Sequence, residues 1–334
     1  MKKQIAIVAG GYSSEMEVSL RSAEGIRSFI DPERFEALVV IISRDEWYVE
    51  LPEGRKAAID RNDFSFEEGG ERRHFDFAYI TIHGTPGEDG LLQGYFDMIG
   101  MPYSSCGALA SAVSFNKFVC NNFLRSFGIA VADSVCIRRG DSFEPGRLVE
   151  RLGLPLFVKP SSGGSSFGVT KAKDMTQLAE AIRKAFAEGD ELIAEQSVSG
   201  TEVTCGCYKT AGRAVVLPVT EVVSNNEIFD FDAKYNGQSE EITPARIPSA
   251  LAEAVRQTTS RIYDLLGAKG LIRIDYIIDE RERPVMLDVN TTPGMTSTSF
   301  IPQQAAAAQI SMTSIITDII ENELTRHEHR TQTL

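Results

Sequence analysis

The chain has 334 residues, of which 43% are hydrophobic and 24% are charged, the ordinary balance of a globular protein with two or three domains. Its net charge of −13 argues against nucleic acid as a partner, because nucleic-acid phosphates require a basic protein surface. No apolar run is long enough to span a membrane, and Met1-Lys2-Lys3 leads directly into a strand rather than a signal peptide. Five scattered cysteines fit reduced thiols and a cytoplasmic location.

Strands and helices alternate in the first part of the chain. Apolar runs predict strands at 4–9, 37–42 and 77–81, and helical periodicity predicts helices at 15–28 and 91–98. This alternation indicates an open parallel α/β sheet, whose ligands bind at the carboxyl ends of the strands. Gly10-Gly11 and His83-Gly84 fall at two of these ends, so we expect them to face one cleft. The polar stretch 44–73 is predicted to be an irregular insertion.

A lysine and a glycine-rich loop follow in the middle of the chain. We predict a helix at 114–127, a strand that ends at Lys159, and an amphipathic helix at 175–188. The loop after the strand reads Pro160-Ser-Ser-Gly-Gly-Ser-Ser-Phe-Gly168. Glycine lets the backbone approach a phosphate closely, and serine and amide groups supply donors. It is not a Walker loop, because the lysine precedes the glycines.

A flexible hairpin loop is the alternative interpretation of these glycines. The lysine at the end of an apolar strand favours phosphate binding instead. We expect Lys159 to contribute charge rather than core volume, because it lies where the strand leaves the sheet.

The last part of the chain predicts a hairpin that carries oxygen ligands. Strands at 202–208 and 214–223 precede two apolar runs, 273–278 and 287–290, that flank the polar turn 279–284. Asp288 and Asn290 share a face because side chains alternate along a strand, and Asp275 projects from the neighbouring strand. Three such side chains suit a hard cation such as Mg²⁺. A solvated hairpin is less favoured, because Asp275 and Asp288 interrupt apolar strands, where unpaired charge is costly.

The remaining features carry no predicted chemistry. An amphipathic helix is predicted at 310–324, and the polar tail 325–334 is expected to fray. Cys205 and Cys207 share one face of a strand, but neither a second cysteine pair nor a nearby histidine completes a zinc set. We therefore interpret both cysteines as core residues.

The glycine-rich loop and the acidic hairpin together resemble those of ATP-grasp enzymes, and the rest of the chain resembles the D-alanine–D-alanine ligase family. The family's motifs occur in order as Gly10-Gly-Tyr-Ser-Ser-Glu15, His83-Gly-Thr-Pro-Gly-Glu-Asp-Gly-Leu-Leu-Gln-Gly94, the loop after Lys159, Phe231-Asp-Ala-Lys-Tyr235 and Asn290-Thr-Thr-Pro-Gly-Met-Thr-Ser-Thr-Ser299. The resemblance implies an α/β ATP-grasp fold with three domains. These are an N-terminal open parallel α/β domain at 1–106, a central ATP-grasp subdomain at 107–195 and a C-terminal subdomain at 196–334.

The resemblance also implies a reaction and its cofactors. ATP activates one D-alanine as an acyl phosphate, and the amine of a second D-alanine attacks it, for peptidoglycan synthesis. Two Mg²⁺ or Mn²⁺ ions are held by Asp275, Asp288 and Asn290. The implied ATP contacts are Lys117 and Lys159 at the phosphates, Glu195 at the adenine, Glu202 at the ribose, and Ser165 and Lys234. The expected partners are these small molecules, with neither nucleic acid nor membrane, and a homodimer is left open.

The implied substrate site spans both ends of the chain. Glu15 and His83 bind the first D-alanine, and Ser299 binds the carboxylate of the second. Arg273 and the backbone N–H of Gly294 stabilise the tetrahedral oxyanion. A hydrogen-bonded chain of Glu15, Ser165 and Tyr235 fastens a mobile loop over the cleft, which excludes water from the acyl phosphate.

Two departures and three alternatives stay open at this point. Asp288 stands where the family most often has glutamate, and Phe300 where it usually has leucine. A ligase that uses D-lactate or D-serine is one alternative, although the Lys234-Tyr235 pair favours the dipeptide over the lactate product. The others are a nucleotide-binding regulator without catalysis and a dinucleotide oxidoreductase, which is disfavoured because this chain lacks the G-x-G-x-x-G pattern of such enzymes.

Overall fold

In the described part of the chain, the strands form three sheets that follow one another in sequence. The structure, a computed structural model, describes residues 2–163, 168–224 and 239–333. The first sheet has seven strands in the order β6-β5-β4-β3-β2-β1-β7. At its centre, β1 (Lys3–Gly10), β2 (Phe35–Ile42) and β7 (Phe77–Ile80) are parallel. Helices α1 (Met16–Phe29) and α2 (Leu91–Ile99) follow β1 and β7, so the predicted parallel sheet is present.

The prediction of an irregular insertion at 44–73 is wrong. This stretch forms four short strands that extend the sheet in antiparallel fashion: β3 (Trp47–Glu50), β4 (Lys56–Asp60), β5 (Ser65–Glu68) and β6 (Glu71–Arg73). Val49 and Ile59 are buried, whereas their neighbours along β3 and β4 are more exposed, and in β5 Phe66 is buried while Glu67 is exposed. The strands look polar in sequence because they are short and one face of each meets water.

The second sheet is antiparallel, with the order β10-β9-β11-β8. Its strands are β8 (Ser134–Arg138), β9 (Leu156–Pro160), β10 (Thr170–Ala172) and β11 (Glu191–Gln196), and helices α5 (Pro145–Leu152) and α6 (Met175–Glu188) lie between them in sequence. The helix predicted at 114–127 is instead two helices, α3 (Ala108–Phe115) and α4 (Lys117–Ser126). The break lies at Asn116, which has extended φ/ψ and caps α4 by accepting a hydrogen bond from the Val119 N–H at 3.0 Å.

The third sheet has the order β15-β14-β12-β16-β17, and β13 also pairs with β12. Its strands are β12 (Gly200–Thr210), β13 (Arg213–Val216), β14 (Thr220–Ser224), β15 (Ser239–Ile242), β16 (Leu271–Asp279) and β17 (Pro284–Asn290). The predicted hairpin at 273–290 is therefore present. The single strand predicted at 214–223 is two strands that lie on either side of Pro218, a residue without the N–H that a continuous ladder needs.

The C-terminal helices are α7 (Ser249–Leu265), α8 (Phe300–Ala307) and α9 (Met312–Thr333). The expectation of a frayed tail is wrong, because α9 continues to Thr333. A hydrophobic core that includes Ile26 of α1, Ile301 of α8 and Ile319 of α9 joins the first sheet to the C-terminal helices. Within this region the middle of α1 contacts the turn after β17, where the Met295 N–H donates to Ser22 Oγ at 3.4 Å. None of the described helices is both long and apolar enough to cross a bilayer.

Candidate active site

The hairpin of β16 and β17 places the predicted metal ligands opposite one another. In its register Asp275 faces Asp288 and Arg273 faces Asn290, with a bulge just after Asp275. The Asn290 side-chain amide donates to Asp275 Oδ2 at 3.1 Å. Two carboxylates and an amide oxygen form an all-oxygen donor set, which fits a hard divalent cation.

Asp275 is the most heavily hydrogen-bonded member of this set. Its oxygens accept from the Thr204 hydroxyl at 2.6 Å and from Nε and Nη2 of Arg273 at 2.9 Å each, besides Asn290. A carboxylate offers about four lone-pair directions, so a cation at Asp275 must replace part of this bonding. The Arg273 guanidinium also lies 5.2 Å from the centroid of the Phe300 ring. The aromatic residue in place of the family's leucine therefore contacts the charge of Arg273.

Lys117 connects the hairpin to the glycine-rich loop. It is the first residue of α4, and its Nζ donates to the Gly163 carbonyl at 2.8 Å. The same Nζ lies 3.7 Å from Asp288 Oδ2. Its backbone N–H donates to the Ser161 carbonyl at 2.7 Å. A lysine at a helix start would ordinarily be solvated, but this side chain is only 13% exposed.

Lys159 and Glu195 form a buried ion pair between β9 and β11. Lys159 Nζ lies 2.6 Å from Glu195 Oε2, and the side chains are 13% and 9% exposed. Asn121 Nδ2 donates to the other Glu195 oxygen at 2.9 Å. Burial opposes the charge of Lys159, but the carboxylates of Glu195 and Asp288 outweigh it and raise the pKa of the lysine. Glu195 is itself buried, near the end of β11.

Glu202 lies on β12, two residues before Thr204. Alternation along the strand places both side chains on one face, the face from which Thr204 contacts Asp275. Glu202 is half-buried. The third sheet therefore carries the implied ribose ligand and the implied metal ligands on the same side.

Glu15 and His83 are both buried near the carboxyl edge of the first sheet, the edge at which His83-Gly84 was predicted to lie. Glu15 immediately precedes α1, and the two residues are 4% and 7% exposed. Burial lowers the pKa of His83, the nearby positive charge of Arg273 lowers it further, and Glu15 opposes both effects. Arg273 of the third sheet is therefore near enough to His83, beside the first sheet, for its charge to lower the pKa of that histidine.

Gly294 and Ser299 lie on the turn between β17 and α8. Ser299 Oγ accepts from the Thr296 N–H at 3.1 Å and lies 2.8 Å from the Thr296 hydroxyl. An ideal Cβ built on Gly294 would lie 3.0 Å from Ser299 Oγ. The hydroxyl and the Gly294 backbone are therefore neighbours. Three further predicted site residues, Ser165, Lys234 and Tyr235, lie outside the described residues.

Two carboxyl groups near the site were missed by the sequence reasoning. Glu88 Oε2 accepts from the Gly84 N–H at 2.8 Å, and burial raises the pKa of this group, which also feels Asp288 and Lys117. Glu241 Oε2 accepts from Gln303 Nε2 at 2.5 Å, and its pKa is also raised by burial. Glu88 lies within a recognised motif and could have been singled out there. Glu241 had no signal, because only the fold brings β15 to α8.

A cavity of about 410 Å³ lies beside Gly84 and Gly163. It separates Ser13, Gly84 and Thr85 of the first sheet from Ser162, Gly163 and the segment 188–191 of the second. Gly163, whose carbonyl accepts from Lys117 Nζ, therefore lies on the wall of an open cleft between two sheets.

Comparison with known proteins identifies the family. Residues 4–106 match the family described as D-ala D-ala ligase N-terminus, and residues 123–321 match D-ala D-ala ligase C-terminus. A D-alanine–D-alanine ligase of Parabacteroides distasonis is 63% identical over 97% of this chain and 98% of its own length. The VanG D-Ala:D-Ser ligase structure from Enterococcus faecalis has a TM-score of 0.87 at 30% identity and covers 97% of this chain and 100% of its own.

A third relative was solved with nucleotide. The Bacillus anthracis D-alanine–D-alanine ligase complexed with ATP has a TM-score of 0.78 at 26% identity, and the match covers 98% of this chain and 99% of that one. The α/β ATP-grasp fold predicted from the sequence is thereby confirmed. The chain belongs to the D-alanine–D-alanine ligase family of ATP-dependent ligases.

Proposed function

We propose that this enzyme condenses two molecules of D-alanine to D-alanyl-D-alanine through a D-alanyl phosphate, with release of ADP and phosphate, for peptidoglycan synthesis. The observation that carries the proposal is the joint placement of Arg273, Asp275, Asp288 and Asn290 on one hairpin, with Lys117 within 3.7 Å of Asp288. Acids, a buried arginine and lysines in one cluster suit phosphoryl transfer followed by attack on a carbonyl.

In the proposed first step, the chain positions ATP and neutralises its phosphates. Lys117 and Lys159 supply fixed positive charge beside the glycine-rich loop, and Glu195 and Glu202 contact the adenine and the ribose. Asp275, Asp288 and Asn290 would hold Mg²⁺ or Mn²⁺, which when bound neutralises charge on the transferring phosphoryl group. Lys117 already contacts both the loop and Asp288, so the phosphate and metal subsites share one cation.

In the proposed second step, the amine of the acceptor attacks the carbonyl carbon of the acyl phosphate. The tetrahedral intermediate that results carries an oxyanion, and Arg273 and the Gly294 N–H would donate to it. Glu15 and His83 hold the first D-alanine, and Ser299 holds the carboxylate of the second. No protein nucleophile is needed, because positioning and charge neutralisation supply the catalysis.

A D-serine acceptor is the second candidate, and one observation favours it. The VanG structure, at 30% identity, is that of a D-Ala:D-Ser ligase. A purified enzyme should be assayed for phosphate release with ATP and Mg²⁺ and with D-alanine alone or paired with D-serine or D-lactate. We expect release with D-alanine alone and a product whose mass is that of the dipeptide. A faster rate with D-serine present, and a mixed product, would favour the second candidate.

The same assay separates an enzyme from a regulator. Phosphate release that does not depend on D-alanine, or no release at all, would contradict the proposed activity. The variant Arg273→Ala is the matched control, because it should bind ATP but release little phosphate. A homodimer and a cytoplasmic location stay predictions, and sedimentation of the purified protein would test the first.

A further inference from the structure

Ser22, on the inner face of α1, contacts both sides of the proposed substrate site. Its side chain is buried, with 1% of the residue exposed. Ser22 Oγ lies 3.3 Å from His83 Nε2 and accepts a hydrogen bond from the Met295 N–H at 3.4 Å. His83 belongs to the first sheet, and Met295 directly follows the implied oxyanion donor Gly294. One hydroxyl therefore links the two halves of the site.

The backbone of α1 is in direct contact with the same segment. An ideal Cβ built on Gly25 would lie 2.0 Å from the Met295 carbonyl oxygen, a separation that no side chain can occupy. Glycine at this position lets the helix approach the turn closely. Ser22 lies almost one helical turn before Gly25, so its hydroxyl is held against Met295 and His83 by the packing of the helix.

The hydrogen bonds of the hydroxyl decide how the imidazole is protonated. A serine hydroxyl has one proton to donate and two lone pairs. One lone pair accepts from the Met295 N–H. Within the described part of the chain, His83 Nε2 is the only acceptor that the structure records for the hydroxyl proton. If Ser22 donates there, Nε2 is the unprotonated nitrogen and Nδ1 carries the ring proton.

The surroundings of His83 keep the ring neutral. The charged groups that act on it are Glu15, which precedes α1, and Arg273 of β16. Burial and Arg273 disfavour the imidazolium, and Glu15 alone favours it, with a net lowering of the pKa. A neutral ring has a single N–H to offer, so its tautomer decides which edge can donate to a substrate.

We propose that Ser22 is a positioning residue, which holds neutral His83 in the Nδ1–H tautomer and ties it to the Gly294–Met295 turn. It does not touch the substrate. The Nδ1–H is then a fixed donor suited to the carboxylate of the first D-amino acid, where the acyl phosphate forms. The coupling to Met295 keeps that carboxylate in register with the oxyanion donor. This inference rests on the proposed function for the identity of the ligand, but the tautomer does not depend on it.

The tautomer can be measured directly in the free enzyme. Long-range ¹H–¹⁵N correlation spectra distinguish protonated from unprotonated ring nitrogens. The chain has four histidines, and loss of a signal in His83→Gln assigns the relevant one. We expect Nε2 of His83 to be unprotonated near neutral pH in the native enzyme. In Ser22→Ala we expect a mixture of tautomers or a shift to Nε2–H. A native ring protonated at Nε2, or an unchanged tautomer in Ser22→Ala, would overturn the proposal.

Kinetics and a matched control separate positioning from a structural role. Ser19→Ala is the control, because Ser19 is also a buried serine of α1 but bonds to the Gly10 N–H instead. We expect Ser22→Ala to raise the Michaelis constant of the first D-alanine by roughly 3- to 10-fold, the effect of losing one buried hydrogen bond. Ser22→Thr keeps a hydroxyl and should leave this Michaelis constant close to the native value. Ser19→Ala should leave the His83 tautomer unchanged.

Failure of the positioning role of Ser22 can be distinguished from failure of the proposed function. If Ser22→Ala and Ser19→Ala lower the unfolding midpoint alike while neither changes the tautomer, Ser22 is merely structural. If the native enzyme shows the Nδ1–H tautomer but releases no phosphate with D-alanine, the proposed function fails and the tautomer assignment stands.

Discussion

Substitutions in the buried pair of Lys159 and Glu195 are expected to separate an effect on stability from an effect on ATP affinity. Lys159→Met keeps most of the side-chain volume but removes the charge, and leaves Glu195 buried beside an apolar group. The double variant Lys159→Met/Glu195→Gln removes both charges and keeps an oxygen that can accept from Asn121. Both variants lose the implied phosphate contact, so both should bind ATP more weakly. They should differ in their free energy of unfolding.

The magnitude follows from the geometry of the pair. The two charges are 2.6 Å apart and their side chains are 13% and 9% exposed, so the pair is largely shielded from solvent. Breaking such a pair from one side costs about 3–5 kcal/mol, whereas replacing both partners is often close to neutral. The Asn121 hydrogen bond continues to compensate Glu195 in the single variant. We therefore expect a loss of about 3 kcal/mol in the single variant, and about 1 kcal/mol or less in the double variant.

Two measurements check this prediction. Urea unfolding followed by circular dichroism gives the stability of the three proteins, and calorimetric titration gives their ATP affinities. Loss of a charged hydrogen bond of about 1.5–3 kcal/mol should weaken ATP binding by roughly 10- to 100-fold in both variants. A single variant as stable as the double would refute the assignment of a buried, mutually dependent pair. An unchanged ATP affinity in either folded variant would refute the phosphate contact.

Four further predictions follow. Arg273→Ala should lower kcat by about 10²-fold or more with little change in either Michaelis constant, and steady-state assays that show the reverse would assign Arg273 to ground-state binding. Asp275→Asn should still bind ATP in a calorimetric titration but turn over slowly, and full activity at limiting Mg²⁺ would contradict a ligand role. Tyr235→Phe should shift acceptor use towards D-lactate, which competition assays across pH would reveal as a changed product ratio. The pKa of His83 is lowered in the folded protein, so its contribution to the free energy of unfolding is complete above the unfolded pKa of about 6.5. This contribution is lost as the pH falls, by at most about 1.4 kcal/mol per pH unit. Urea unfolding of His83→Gln should lack this pH dependence.

Periodic and punctuated segments of the fold could be predicted from the sequence. The parallel strands of the first sheet are continuous apolar runs, and the hairpin of β16 and β17 flanks a clear polar turn. Asp275 and Asp288 could be paired in advance because acids that interrupt such strands require partners. The structure places them opposite each other in register.

Features that depend on tertiary contacts could not be predicted. The strands between 47 and 73 are short and half exposed, so their alternation does not stand out from that of a loop. Lys159 was expected to contribute only charge, because a sequence does not reveal that the partner strand β11 delivers a buried Glu195. Glu241 reaches Gln303 only because β15 lies beside α8 in the folded chain.

The pairings within the cluster suggest how the site combines stability with catalysis. In the structure three cations of the site are each paired with a carboxylate: Arg273 with Asp275, Lys159 with Glu195, and Lys117 with Asp288. ATP adds negative charge and the metal ions add positive charge, so the net charge of the cluster need not change greatly when both bind. A cation that displaces part of the bonding at Asp275 would free Arg273 donors, at the step when an oxyanion needs them. Metal binding and oxyanion stabilisation would then be coupled through one carboxylate. On this argument Asp275→Asn should impair the second chemical step as well as phosphoryl transfer, and rapid-quench measurement of acyl phosphate formation and consumption would resolve the two.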